Sequence, residues 1–275
     1  MSRRGPGTEP AAAATILLLR DAPRPRGGIE VFLIRRSARP PFPGLHVFPG
    51  GQVDPRDSDP ELLARVAGVA PEEADRVLGV ASGGLAIFVA CVRECLEEAA
   101  VPLLATRTGE PVFRARGELV RALRETRARL NAGDPAALLA LCRRFDLRLA
   151  ADRLVYLSHW ITPEGAPRRF DTRFFAAALA PGERAEHDGS EAVEGFFLAA
   201  EEALRRARAG ELSMISPTLH HLEMLRPFPD VESFLAARRA VDPRSIPTVR
   251  PRFVRQGGRV VEVVESAPRE EAPGR

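Results

Sequence analysis

Two short stretches carry residue types and spacings that could do chemistry. RECLEEAAV, residues 93–101, sets Glu94, Glu97 and Glu98 behind Arg93, and PGGQVDPRD, residues 49–57, sets Gly50 and Gly51 ahead of Asp57. At 3.6 residues per turn, three glutamates at i, i+3 and i+4 cluster on one helix face. Arg93 and Glu97 can pair at i, i+4, which leaves Glu94 and Glu98 facing each other. Like charges at that spacing cost an exposed helix roughly 0.2–0.5 kcal/mol. A divalent cation turns this repulsion into coordination, because Mg²⁺ takes oxygen ligands and bridges to substrate phosphates. The glycine pair lets a backbone turn sharply and approach another group closely, so it could present a carbonyl to the same ion. The competing reading is an ordinary solvated acidic face.

These residues need a frame to hold them. Within residues 85–101, Phe88, Cys91, Val92, Cys95 and Ala99 form an apolar stripe beside the acidic face, which predicts an amphipathic helix. Upstream, residues 15–21 and 29–37 read as strands joined by a Pro/Gly-rich loop, and 45–48 is a short apolar piece running into the glycines. ELLARVAGV and PEEADRVLGV, residues 61–69 and 71–80, read as helices, the second opened by Pro71. Residues 116–131, 134–146, 200–209, 217–225 and 231–240 also read as helices. Strands are expected at 153–162, 173–180, 194–199 and 260–264. Intermingled strands and helices place the chain in the α/β class. Residues 1–13 and 265–275 read as loose tails around one domain, 14–264.

Composition narrows the chemistry. The chain has 275 residues, and its 40 basic side chains, all arginine, nearly balance 37 acidic ones. With no lysine, a Schiff base or a phosphate-loop lysine is excluded. A net charge of +3 gives no argument for nucleic acid. Cys91, Cys95 and Cys142 are too few and wrongly spaced for a zinc knuckle or disulfide framework, which fits a reducing cytoplasm. No run approaches the ~20 apolar residues of a membrane span. His187, Asp188 and Ser190 are too close in sequence to form a hydrolase triad, and there is no G-x-S-x-G elbow.

The two stretches together resemble the Nudix hydrolase signature, G-x5-E-x7-R-E-U-x-E-E-x-G-U, with U aliphatic. Gly51 and Asp57 match its first part and residues 93–101 its second. The sequence departs at three points. Asp57 replaces a glutamate, Ala100 replaces a glycine, and residues 58–92, a stretch of 35, separate the halves where the pattern has seven. A split box is found in the branch that includes the mammalian peroxisomal coenzyme A diphosphatase. LIRRSARPPFPGLHVFPGG (33–51), WITPEGAPRRFDTRFF (160–175), EAVEGFFLAAEEAL (191–204) and SMISPT (213–218) resemble further segments of that branch, in the expected order.

The resemblance implies a Nudix α/β/α sandwich with a mixed sheet, and helical insertions at about 58–84 and 110–148. These insertions could cover the site or form a homodimer surface. It implies hydrolysis of a diphosphate bond in a nucleoside diphosphate derivative, with Mg²⁺ or Mn²⁺ as cofactor. Coenzyme A or acyl-CoA would be the substrate, giving 3′,5′-ADP and (acyl-)4′-phosphopantetheine. Alternatives are a pyrophosphatase for dinucleotides or nucleotide sugars, or a catalytically silent module binding nucleotide or RNA. Glu94, Glu97, Glu98 and the Gly51 carbonyl match metal-ligand positions. Glu94 doubles as a candidate base, and Arg93 would orient the carboxylates through Asp57. The methylene that Asp57 lacks puts that contact in question.

A later loop, residues 183–195, offers Glu186, Glu191 and Glu194 as a further base or ligand, with Glu191 first. Arg35, Arg36, Arg168, Arg169 and Arg173 are candidate phosphate binders, since guanidinium forks match phosphate oxygens; each could equally be a surface arginine. Trp160, Phe170, Phe174 and Phe175 read as core. Phe42 and His46 could stack on a base or pack a loop, and His220–His221 read as helix surface.

Overall fold

The computed structural model describes residues 9–23, 27–38, 43–256, 259–264 and 266–267. Phe42 and most of the two expected tails lie outside them. The chain opens with β1 (Ala11–Asp21), β2 (Ile29–Arg36), β3 (His46–Val47) and β4 (Gly50–Gln52). Then α1 (Pro60–Leu63), β5 (Val66–Ala67) and α2 (Pro71–Leu78) lead to α3 (Gly84–Ala99). Next come β6 (Leu104–Thr106), α4 (Glu118–Asn131), α5 (Ala136–Phe145), β7 (Leu147–Ala150), β8 (Val155–Ile161), β9 (Phe170–Ala178) and β10 (Ala192–Ala199). The last elements are α6 (Ala200–Arg208), α7 (Ser216–Leu225), α8 (Val231–Arg239), β11 (Thr248–Val249), β12 (Arg252–Gln256), β13 (Arg259–Val263) and β14 (Ser266–Ala267).

The main sheet runs β10-β2-β1-β9-β8-β11-β14, with β3 beside β2 and β4 beside β1. It is mixed: β1 lies parallel to β9 and antiparallel to β2 and β4. β1 is a continuous apolar run because both faces are covered. Ala14, Ile16 and Leu18 face the α3 side, while Leu17 and Leu19 face α6, α7 and α8. This is the expected α/β/α sandwich. β1 and β2 pair only at one end, from Leu19–Val31 to Asp21–Ile29. Further along, β4 takes the place beside Ala13–Thr15. The fork carries Gly50 and Gly51 on a strand rather than in a turn, and lays them against α3.

Several expectations change. Ala11–Ala13 belong to β1 instead of a tail, and Ser266–Ala267 pair with β11. ELLARVAGV is helical only to Leu63, because Val66–Ala67 pair with β7 and the Arg65 side chain donates to the carbonyls of Cys142 and Leu147. α2 opens at Pro71 as expected and ends at Leu78, capped by a left-handed Gly79. The first insertion thus buttresses α3: Gly84 N–H donates to Asp75 Oδ1 at 2.6 Å, and a Cβ on Gly84 would sit 2.7 Å from the Ala74 carbonyl carbon.

α3 is not amphipathic in the expected way. Every residue from Gly84 to Ala99 is buried except Glu97, which is partly so. The solvated-face reading of its glutamates therefore fails. The helix ends at Ala100, which is left-handed at φ 58° where the Nudix pattern has glycine. A Cβ in that region costs about 1 kcal/mol. Ala100→Gly is expected to stabilise the protein by up to about 1 kcal/mol, a rise of a few degrees in Tm by calorimetry. An unchanged or lower Tm would mean the site is unstrained.

Candidate active site

The carboxylates of α3 open on a cleft of about 660 Å³, lined on one side by β4, α3 and Arg36 and on the other by Trp160, Phe170 and Phe174. Arg93 is the hub beneath it. Its Nε and Nη2 donate to the two oxygens of Asp57 at 2.9 and 3.0 Å, and Nη2 also reaches the Gln52 carbonyl at 2.8 Å. Nη1 donates to Glu94 at 2.7 Å and, more loosely, to Glu97 at 3.3 Å. Asp57 is 1% exposed, so this pair lies in the interior. The missing methylene is made good by the backbone: residues 55–58 form a short 3-10 turn, capped through Asp54 N–H on Asp57 Oδ2, that brings the shorter acid up to the guanidinium.

The two glycines have distinct reasons. A Cβ on Gly51 would meet Glu94 Cδ at 2.6 Å, and one on Gly50 would meet Thr15 Cα at 2.7 Å. Gly50 N–H donates to Glu98 Oε2 at 2.7 Å. So β4 must be bare for α3 to lay its acids against it. Burial, abetted by Glu97 and Asp57 and opposed by Arg93, raises the Glu94 carboxyl to about 7. Burial and the Glu94 charge hold Glu98 well above the usual range, and burial also raises Glu97. Against Glu94, Glu97, Glu98 and Asp57 the site sets Arg93 and, 3.7 Å from Glu98, Arg36.

The donor set suits a hard cation: oxygen-only, buried and short of positive charge. Among the described residues no three acidic, histidine or cysteine side chains already stand at cation-holding spacing. Glu94 is turned onto Arg93 and Glu98 onto Gly50, so the acids would have to turn inward to share an ion.

The remaining candidates separate. Arg36 and Arg168 line the cleft. Arg36 reaches Glu191 at 3.2 Å, while its buried Nε has no hydrogen-bond partner among the described residues. Arg35 points to the opposite side of β2, pairing with Glu194 at 3.0 Å around a smaller cavity that also holds His46. Neighbouring strand residues face opposite ways, so only one of Arg35 and Arg36 could reach the cleft. Arg169 donates to the Thr162 carbonyl and Arg173 is buried against Asp171, neither among the cleft-lining residues.

Of the loop acids, Glu191 lines the cleft; Glu186 and Glu194 do not. Asp188 does line it, with its carboxylate accepting the N–H groups of Ser190, Glu191 and Ala192. Trp160, Phe174 and Phe175 are buried as expected, the first two at the cleft wall. His46 is buried and edges onto Phe196 away from the cleft, so it does not stack on a base there. His221 is fully buried, bonded to Ser158 and stacked on Phe174, not helix surface.

Sequence reasoning missed Arg127, Thr15, Thr218 and the turn after α4. Leu130 and Asn131 at the end of α4, with Gly133 and Pro135 of that turn, line the cleft, which places the second insertion at the site. Arginine spacing on α4 gave no signal to single out Arg127, since the helix carries four arginines.

The family model described as the NUDT19 Nudix domain matches residues 64–225. The human acyl-coenzyme A diphosphatase NUDT19 is 30% identical over 237 residues, covering 75% of this chain and 63% of the relative. The chicken protein of the same name is 32% identical over 254 residues, covering 76% and 66%. The chain thus spans less than two thirds of either relative's length. A solved Nudix hydrolase from Alicyclobacillus acidocaldarius superposes with a TM-score of 0.69 at 26% identity, covering 84% of this chain and 97% of that one.

Proposed function

Because the chain belongs to the Nudix hydrolase family, in the branch of the NUDT19 Nudix domain, we propose that it hydrolyses the diphosphate bond of coenzyme A or an acyl-CoA. The products are 3′,5′-ADP and 4′-phosphopantetheine or its acyl form. The observation that carries this reading is the buried carboxylate set of α3 facing the glycine strand, kept intact across a 35-residue split by the Arg93–Asp57 pair. Two relatives bear the name acyl-coenzyme A diphosphatase, which supports the choice of substrate.

Glu94, Glu97 and Glu98 would hold Mg²⁺ or Mn²⁺, with the Gly51 carbonyl as a further oxygen. Such an ion, when bound, neutralises phosphate charge and makes water a better nucleophile at neutral pH. Arg93 keeps the acids apart and oriented from below. Arg36, which lines the cleft, would offer its guanidinium to a diphosphate oxygen. Arg168, exposed at the cleft, would offer its guanidinium to a second phosphate such as the 3′-phosphate of coenzyme A. Glu191 would accept the proton of the attacking water as its oxygen bonds to phosphorus and the bridging oxygen leaves with the other phosphate. Three buried, unpaired cysteines accord with a reducing, cytoplasmic setting.

The test is product analysis by mass after incubating the protein with coenzyme A, acetyl-CoA, ADP-ribose or NADH, with Mg²⁺, Mn²⁺ or EDTA. The expected result is 3′,5′-ADP from coenzyme A or its acyl form only with metal. Cleavage of ADP-ribose or NADH instead would replace the substrate and keep the site. No cleavage of any of them would overturn the reading as an enzyme.

A further inference from the structure

The C-terminal end of α3 leaves backbone carbonyls with no partner inside the helix. Two of them are met from outside. Arg127, half-buried on α4, donates Nε–H to the carbonyl of Glu97 at 2.9 Å, and the N–H of Glu186 donates to the carbonyl of Ala99 at 2.9 Å. Arg127 then turns Nη2 to the carbonyl of Glu186 at 2.6 Å. One guanidinium therefore grips the backbone of an α3 carboxylate residue and the start of the loop that bears Glu191. A cation at a helix C-terminus is also favoured by the helix dipole.

Downstream of Glu186 the loop has little freedom. The Asp188 carboxylate takes three successive N–H groups, and Glu191 emerges from that turn onto Arg36. Arg36 in turn faces Glu98. A chain of contacts thus links Glu97, through Arg127, the loop from Glu186 to Glu191 and Arg36, to Glu98.

We infer that Arg127 is a positioning residue: through two backbone carbonyls it sets the placement of Glu97 relative to Glu191, making the second insertion part of the site rather than an ornament of the fold. This rests on the reading of the site given above. Arg127 touches neither the cleft nor, by the same geometry, the substrate, so its effect should fall on metal affinity and turnover and spare substrate binding. Groups that orient ligand residues in this way typically account for 10–100-fold in metal affinity or activity.

The test compares wild type with Arg127→Met, which keeps the stem and removes the fork, and Arg127→Lys, which keeps the charge but cannot span both carbonyls. Three quantities are read: Mn²⁺ affinity without substrate by electron paramagnetic resonance, kcat and KM for coenzyme A, and amide exchange across residues 186–192. In Arg127→Met, Mn²⁺ affinity and kcat should each fall about 10-fold or more. KM should stay within about 3-fold, exchange at 186–192 should rise, and lysine should rescue only part. Mn²⁺ affinity and exchange like those of wild type would overturn the inference, whatever happens to Tm. If the methionine variant does not fold, the lysine variant decides by the same criteria. If wild type cleaves no coenzyme A, the functional reading fails, and the Mn²⁺ and exchange comparison still decides this one. If wild type also binds no Mn²⁺, exchange at 186–192 alone decides.

Discussion

Glu98→Gln is expected to lose about 100–1,000-fold in kcat for coenzyme A while folding as well as wild type, or better, in EDTA. The first half rests on the proposed role of Glu98 as an oxygen ligand to an ion that would neutralise phosphate; losing one electrostatic element of this kind costs about 10²–10³. The second half follows from burial. Glu98 is buried beside Glu94, so its ionisation is penalised in the folded state. An amide keeps the acceptor for Gly50 N–H without the charge.

The same physics fixes a pH dependence. A carboxyl raised in the fold holds its proton longer there than in the unfolded chain. Stability from this group is fully present below the unfolded value and is lost as pH rises through the folded one. Glu94 sets the window, from the ordinary 4.5 to about 7, and the loss at its top is about 3 kcal/mol. Mg²⁺ or Mn²⁺ should therefore raise Tm more at pH 8 than at pH 5, and Glu98→Gln should blunt that gain. Thermal melts at both pH values, with metal and with EDTA, check it. Equal metal stabilisation of wild type and variant would remove Glu98 from the ligand set. Glu97, at the rim and partly exposed, should lose comparable turnover as glutamine with a smaller change in Tm.

Arg93→Met is expected to destabilise the protein by about 3–5 kcal/mol, because removing one partner of an interior pair leaves the other charge buried alone. Here Asp57 would be stranded at 1% exposure, with Glu94 and the Gln52 carbonyl also losing a donor. In a chain of this length that is a fall in Tm of roughly 6–15 °C by calorimetry. Adding Asp57→Asn to Arg93→Met should recover part of the loss, since an amide tolerates burial better than an unpaired carboxylate. Activity should not return with it, because the acids would still lack their orienting donor. If the double variant is no more stable than Arg93→Met, Asp57 is not what the guanidinium stabilises. Substituting Asp57→Glu alone is a further useful control: the 3-10 turn already spans the gap, so the longer acid should crowd rather than improve the pair.

The spacing of Glu94, Glu97 and Glu98 behind Arg93, and the glycine pair upstream, were legible as a candidate cation site because each residue type answers a chemical need that neighbours in one helix or strand can meet. The class of fold was legible for a similar reason: period-two and period-3.6 patterns are local. The start of α2 and the end of α4 followed from local signals too, Pro71 opening one and an unbroken helical pattern running to residue 131 in the other. What sequence could not decide was which chain-distant groups meet. Whether Asp57 reaches Arg93 depends on a turn four residues long and on the first insertion folding out of the way. ELLARVAGV carries a helical pattern, yet it yields to a strand because β7 offers hydrogen bonds that no local signal announces. Arg35 and Arg36 are chemically identical neighbours, and only the pleat of β2 sends one to the cleft and the other to Glu194. Arg127 is one arginine among many until α4 lies against the end of α3. The sequence by itself determined which atoms could bind metal and phosphate; the tertiary structure decided which of them face the same cleft, because burial and register are properties of the packed chain and not of any segment of it.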